Sequence, residues 1–119
     1  MKKYSKDHLW VERTPDGYAM GLSEFLSTSI GEIESLDLPV VPKKIQQGDV
    51  LLIVEAKKAA IELIAPLNGT ITKLNPLLNP TLINADPETK GWICLLALDE
   101  PSDFDTLIES TEYIGLTCD

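Results

Sequence analysis

Lys57 and Lys58 stand side by side in Glu55-Ala56-Lys57-Lys58-Ala59, between Val50-Leu51-Leu52-Ile53-Val54 and Ala60-Ile61-Glu62-Leu63-Ile64-Ala65-Pro66. A short apolar run and an alternating run both read as strands, so the lysines fall at the joint of a hairpin. A hairpin tip lifts its side chains off the sheet, and lysine places a primary amine there on a mobile four-carbon stem. Lysine amines are mostly protonated at neutral pH, which makes such a residue a poor catalytic base. It is a good handle for a modifying enzyme that acylates it. Acylation removes the charge and lengthens the arm, which suits a lysine that carries a covalent cofactor between partners. Exposed lysines also serve a plainer purpose, because they protect strand edges from aggregation. Spacing alone leaves both readings open.

The other chemistry-bearing residues do not converge. The chain has 119 residues, with one histidine, His8, and two cysteines, Cys94 and Cys118. No CxxC, HExxH, GxSxG or Gly-rich phosphate loop is present. His8 and the two distant cysteines lack a metal-ligand spacing, so no metal site is expected. Cys94 lies in an apolar run and reads as a small buried hydrophobe; Cys118 reads as an exposed thiol. Nineteen carboxylates give no reason to choose any two for acid–base work. The composition therefore points to a non-catalytic carrier or binding module rather than an enzyme. Ten Lys and Arg against 19 Asp and Glu give a formal net charge of −9. That balance disfavours nucleic acid and anionic membrane surfaces as partners. No apolar run approaches the roughly 20 residues of a bilayer span. The opening Met1-Lys2-Lys3-Tyr4-Ser5-Lys6-Asp7-His8 has no apolar stretch behind its lysines, so it does not read as a signal peptide and a cytoplasmic location is expected.

The elements that must position the lysines are mostly strands. The length fits one domain, residues 1–119. Leu9 to Arg13 and Tyr18 to Leu22 flank the turn signal Thr14-Pro15-Asp16-Gly17 and predict a hairpin. Ser23 caps a short helix from Glu24 to Ile30, which Gly31 stops. Glu32 to Leu38 alternates as a half-buried strand does, and Pro39 and Pro42 end it. Lys43 to Asp49 reads as a polar connection. After Pro66, Asn68-Gly69 signals a tight turn before the strand Thr70 to Asn75. Pro76 to Glu88 reads as irregular, and Gly91 to Leu98 as the last strong strand. Trp10 and Trp92 are core candidates. In the acidic tail, Phe104, Leu107, Ile108 and Ile114 fit one helical face, giving a C-terminal helix over about 101–115. Many short strands with turn signals between them predict an all-β sandwich or barrel.

Particular residues then carry a resemblance. Glu55-Ala56-Lys57-Lys58-Ala59 followed by Ile64-Ala65-Pro66-Leu67-Asn68-Gly69 resembles the lipoyl-lysine hairpin of lipoyl domains. Lys3-Tyr4-Ser5-Lys6-Asp7-His8-Leu9-Trp10, Met20-Gly21-Leu22-Ser23-Glu24, Ile30-Gly31-Glu32-Ile33 with Leu38-Pro39, Leu82-Ile83-Asn84-Ala85-Asp86-Pro87 with Gly91-Trp92-Ile93, and Tyr113 extend the likeness along nearly the whole chain. Together they resemble the glycine cleavage system H protein family of the lipoyl-domain superfamily. The methionines that usually flank a biotinyl lysine are absent.

The resemblance implies a flattened lipoyl-domain β-barrel or sandwich of two antiparallel sheets, with short helices and a C-terminal helix. It implies lipoic acid as a covalent cofactor, in amide linkage to Lys58, with Glu55 three residues before it, Ala59 after it and Gly69 shaping the turn beyond. It implies a carrier that shuttles an aminomethyl group or electrons on the lipoyl-lysine arm. The partners implied are a lipoate ligase or lipoyl transferase, glycine decarboxylase, aminomethyltransferase and dihydrolipoyl dehydrogenase. Two alternatives stay open. One is an H-like lipoyl relay in lipoate salvage or stress response, working with a lipoate ligase and ADP-ribosyl-transferring or -removing enzymes. The other is an unmodified β interaction module. The departures that motivate the relay are Leu9 where the family's His-Glu-Trp opening has an acid, Val41-Pro42 in place of a Gly-containing turn, and a short Leu77 to Thr81 loop. Lys57 is itself a departure, because the family commonly has an apolar residue there.

Overall fold

The computed structural model describes residues 2–117. Two antiparallel sheets face each other across the apolar residues that the alternating strands turn inward. In chain order the elements are β1 (Lys2–Tyr4), β2 (Leu9–Thr14), β3 (Gly17–Leu22), α1 (Glu24–Ile30), β4 (Ile33–Asp37), β5 (Lys43–Ile45), β6 (Val50–Ala56), β7 (Ala60–Ile64), β8 (Gly69–Leu74), α2 (Pro80–Ala85), β9 (Cys94–Leu98), a 3-10 helix (Pro101–Thr106), β10 (Ile108–Glu109) and α3 (Ser110–Thr117). The large sheet has the order β10-β1-β2-β3-β9-β8-β5, and the small one β4-β6-β7. The mainly β sandwich of two antiparallel sheets with short helices and a C-terminal helix is thus the architecture present.

The main core lies between the sheets. Leu9, Val11, Met20, Leu22, Ile45, Val54, Leu63, Ile71 and Leu96 meet there, with Ile83 of α2 closing one side. A second cluster on the outer face of the large sheet joins Tyr4, Trp10, Ala19 and Tyr113, with Trp92 packed against it. Trp10 is 2% exposed and its indole N–H donates to the Pro87 carbonyl at 2.8 Å. Tyr4 and Tyr113 stack at 4.1 Å, which docks α3 onto β1. The Tyr113 hydroxyl donates to Ser23 Oγ at 2.7 Å and lies 2.8 Å from His8 Nδ1. The lone histidine is thus held in a packing network behind α1.

Four expectations need correction. The tail is not one helix over about 101–115. Pro101 opens a 3-10 helix, and β10 then leaves the helical path to pair Ile108 with Tyr4 and Glu109 with Lys3. Pairing covers the edge that β1 would otherwise expose, and α3 starts only at Ser110. Phe104 and Leu107 pack on the core, but Ile114 is 58% exposed and shares no face with them. The connection at Lys43 holds β5, recruited by β8, with Ile45 fully buried. The irregular stretch after Pro76 holds α2, where the Asn79 side chain accepts from Leu82 N at 2.9 Å and Pro80 takes the first turn. Finally, Gly69 is not the pivot of a tight turn. It begins β8, paired with Ile45 and Leu98, and a Cβ there would run into the Ala97 carbonyl oxygen. Cys118 lies outside the described residues.

Buried acids of high pKa set an alkaline limit on stability. Burial pushes the Cys94 thiol up from 9.0 to about 12. Burial, then the hydrogen bond its hydroxyl donates to Glu88, pushes Tyr4 up from 10.0, and burial raises Tyr113. Each group binds its proton more tightly folded than unfolded. Its contribution is complete below the unfolded value and is lost as pH rises through the folded one. Unfolding free energy is therefore expected to fall once pH exceeds about 9, by up to about 1.4 kcal/mol per pH unit for each proton involved. Urea unfolding at about pH 8 and about pH 10.5 measures this; stability unchanged or rising over that window would contradict it.

Candidate functional site

The lysine pair sits at the tip of the small sheet. β6 and β7 pair in the register Glu55 with Ala60 and Val54 with Ile61. Ala56 N donates to Ala59 O at 2.9 Å and closes the tip around Lys57 and Lys58. Lys57, Lys58 and Ala59 are exposed. The tip is also anchored from outside the hairpin. Lys57 N donates to Glu32 O at 2.9 Å and Lys58 N to Ile30 O at 3.0 Å, both in the link from α1 to β4. The backbone of both lysines is thereby fixed, while their side chains remain in solvent.

The link is built to receive them. Gly31 ends α1 with φ of 79°, a left-handed conformation that side chains rarely adopt. A Cβ on Gly31 would stand 3.3 Å from Lys58 Cγ and 3.5 Å from its Cδ, so the missing side chain is the track along which the Lys58 stem lies. Asn84 of α2 holds the next residue from the other side. Its Oδ1 accepts from Ile33 N at 2.8 Å and its Nδ2 donates to Ile33 O at 3.1 Å. Ser27, Thr28, Gly31, Glu32 and Asn84 line a cleft of about 300 Å³ beside this link.

The two amines differ in surroundings. Lys57 Nζ pairs with Glu32 Oε1 at 3.2 Å, both side chains about three-fifths exposed. Lys58 makes no ion pair among the described residues. Glu55 faces solvent near the end of β6 and its Oε2 accepts from the Ser35 hydroxyl at 3.2 Å. Lys58, Glu55 and Ala59 therefore stand together on one hairpin. Gly69 stands apart in the large sheet, between β5 and β9. Glu32, Gly31 and Asn84 are contributors that the hairpin sequence does not disclose. Gly31 was legible as a helix stop and Glu32 as the start of a strand, but their contact with the tip arises only from tertiary pairing.

The arrangement fits a covalently held acyl group. It offers an exposed primary amine, a rigid backbone under it, and a clear track along its stem. Among the described residues no three of His, Cys, Asp or Glu gather as a metal site. No helix among the described residues is long and apolar enough to cross a membrane.

Comparison with known proteins gives a consistent picture. Residues 2–118 match the model of the family described as Glycine cleavage H-protein. The chain is 35% identical over 117 residues to a glycine cleavage system H protein of Salmonella paratyphi C, covering 96% of this chain and 91% of that protein. It is 34% identical over 113 residues to one from Methylocella silvestris, covering 93% and 90%. The crystal structure of a glycine cleavage system H protein from Mycobacterium marinum superposes with a TM-score of 0.81 at 28% identity, covering 97% of this chain and 94% of that one.

Proposed function

We propose, on the premise that this chain belongs to the glycine cleavage H-protein family, that Lys58 is its lipoyl attachment site and that the chain serves as a carrier in glycine cleavage. Proteins of this family are non-catalytic carriers with lipoic acid attached to a lysine. The observation that supports Lys58 is its place on the hairpin tip: an exposed amine outside any described ion pair, on a backbone tied to Ile30. When bound, the lipoyl group supplies a dithiolane able to accept and release a small carbon group or a pair of electrons.

The chain's own residues do the rest. The Ala56–Ala59 closure and the two bonds to the α1–β4 link hold the base of the arm still, so that its reach comes from side-chain torsions alone. Gly31 leaves the stem unobstructed. Glu55, exposed three residues before Lys58, offers a fixed carboxylate to the enzyme that loads the arm, a lipoate ligase or lipoyl transferase. Ala59 adds no bulk beside the amine. An acidic surface suits basic grooves on glycine decarboxylase, aminomethyltransferase and dihydrolipoyl dehydrogenase, because charge complementarity speeds encounter.

One observation favours a second reading. Leu9 is fully buried in β2 where the family's opening carries an acid. The same lipoyl-lysine would then serve a relay in lipoate salvage or stress response, with ADP-ribosyl-handling enzymes as partners. A transfer assay separates the two. The loaded chain, mixed with glycine decarboxylase and glycine, is expected to gain the mass of an aminomethyl group and release carbon dioxide. Loading without that gain, alongside normal reduction by dihydrolipoyl dehydrogenase, would discard the glycine-cleavage reading in favour of the relay.

A further inference from the structure

Two adjacent lysines on one tip pose a selectivity problem, since both are exposed and both hang from anchored backbone. We propose that Glu32 is a specificity-determining residue that withdraws Lys57 from acylation and leaves Lys58 as the amine presented. This rests on the reading of the tip as a lipoyl site.

The geometry divides the pair cleanly. Glu32 engages Lys57 twice, its carbonyl accepting from Lys57 N at 2.9 Å and its carboxylate meeting Nζ at 3.2 Å. Residue 31, which lies beside Lys58, is a glycine and offers the stem only open backbone. Asn84 clamps Ile33 through both its backbone groups, so Glu32 sits between two fixed points, Gly31 under the Lys58 stem and Ile33 under Asn84. Its carboxylate is thus delivered to the Lys57 side of the tip. Acylation requires the lysine nitrogen to attack the carbonyl of an activated lipoyl group, an acyl adenylate formed by the ligase from lipoate and ATP. The amide C–N bond forms, AMP leaves with the electrons of the broken C–O bond, and the nitrogen's proton passes to water. Lys57 must leave Glu32 before it can approach that carbonyl; Lys58 has no such partner to leave.

The pair is exposed, so its effect is a bias rather than a block. Exposed ion pairs of this type shift an equilibrium by about two- to five-fold, and salt weakens them. The test uses the folded chain, Glu32→Gln and Glu32→Ala, each treated briefly with an N-hydroxysuccinimide acetyl ester and mapped by peptide mass spectrometry. Labelling of Lys57 is expected to rise about two- to five-fold in both variants while that of Lys58 stays constant. Raising the salt should move the unaltered chain toward the variants and leave the variants unmoved, a response that a purely structural role for Glu32 would not produce. A second arm gives lipoate ligase, lipoate and ATP to Lys58→Arg with and without Glu32→Gln. Misloading at Lys57 is expected to increase by a similar factor when Glu32 is neutral. Equal Lys57 labelling with and without Glu32, at all salt concentrations, would overturn the selector. Failure of the ligase to load the unaltered chain at all would instead overturn the lipoyl reading, and the ester arm would still decide whether Glu32 shields Lys57.

Discussion

Lys58→Arg is expected to abolish lipoyl loading while leaving the fold intact. The side chain of Lys58 makes no ion pair among the described residues and is exposed, its stem lying along Gly31; its backbone N–H donates to Ile30 O at 3.0 Å, a bond that arginine keeps. Arginine also keeps the positive charge, but its guanidinium is a delocalised cation that cannot serve as the nucleophile of amide formation. The change therefore removes the chemistry and little else. After incubation with ligase, lipoate and ATP, intact mass should show the starting chain alone, apart from any slow misloading at Lys57. Unfolding free energy should stay within about 0.5 kcal/mol of the unaltered chain, as for surface substitutions generally. Loading that persists at full extent on Lys58→Arg would contradict the assignment. Loss of loading together with loss of the urea transition would show that the variant had failed to fold, and Lys58→Gln would then serve in its place.

The largest effect on stability is expected from Gly69→Ala. Gly69 lies buried in the large sheet where β8 passes between β5 and β9. An added Cβ would strike the Ala97 carbonyl oxygen and stand 3.2 Å from both the Ala97 carbonyl carbon and Leu98 Cα. These are backbone atoms of a paired strand, with no flexible side chain to swing aside. Relief requires β8 and β9 to part at the Gly69–Leu98 pair, and overpacking of this kind costs about 3 kcal/mol. For a chain of this size that corresponds to a fall in Tm of roughly 10 °C. Thermal unfolding followed by circular dichroism measures it. A change below about 0.5 kcal/mol would show that the sheet absorbs the methyl group and that the close approach carries no weight. Loading of Lys58 in the surviving folded fraction should be unaffected, because the glycine stands in a different sheet from the hairpin.

The parts of the fold legible in the sequence are those whose pattern is local. β6 and β7 show themselves by an apolar run and an alternating one, and α1 by the Ser23 cap, whose hydroxyl accepts from Leu26 N at 3.1 Å. β1, β5 and β10 are hidden because strands of two or three residues carry no period; each exists by pairing with a strand already in place. α2 had a legible start in Asn79-Pro80, outweighed by the prolines around it. Asn68-Gly69 resembled a turn signal because glycine is demanded there, but the demand comes from the neighbouring strand rather than from a left-handed φ. The lysine pair was legible for the same local reason as the hairpin itself. What distinguishes Lys57 from Lys58 was not, since it depends on Glu32 and Gly31, more than twenty residues upstream, and on Asn84 of α2 holding Ile33 in place.

The most direct measurement is peptide mapping of the unaltered chain after loading by lipoate ligase with lipoate and ATP. The account predicts one added lipoyl group per chain, found on Lys58 by fragmentation between Ala56 and Ala60. A chain that stays unmodified with several ligases, or one whose lipoyl group sits mainly on Lys57, would contradict it.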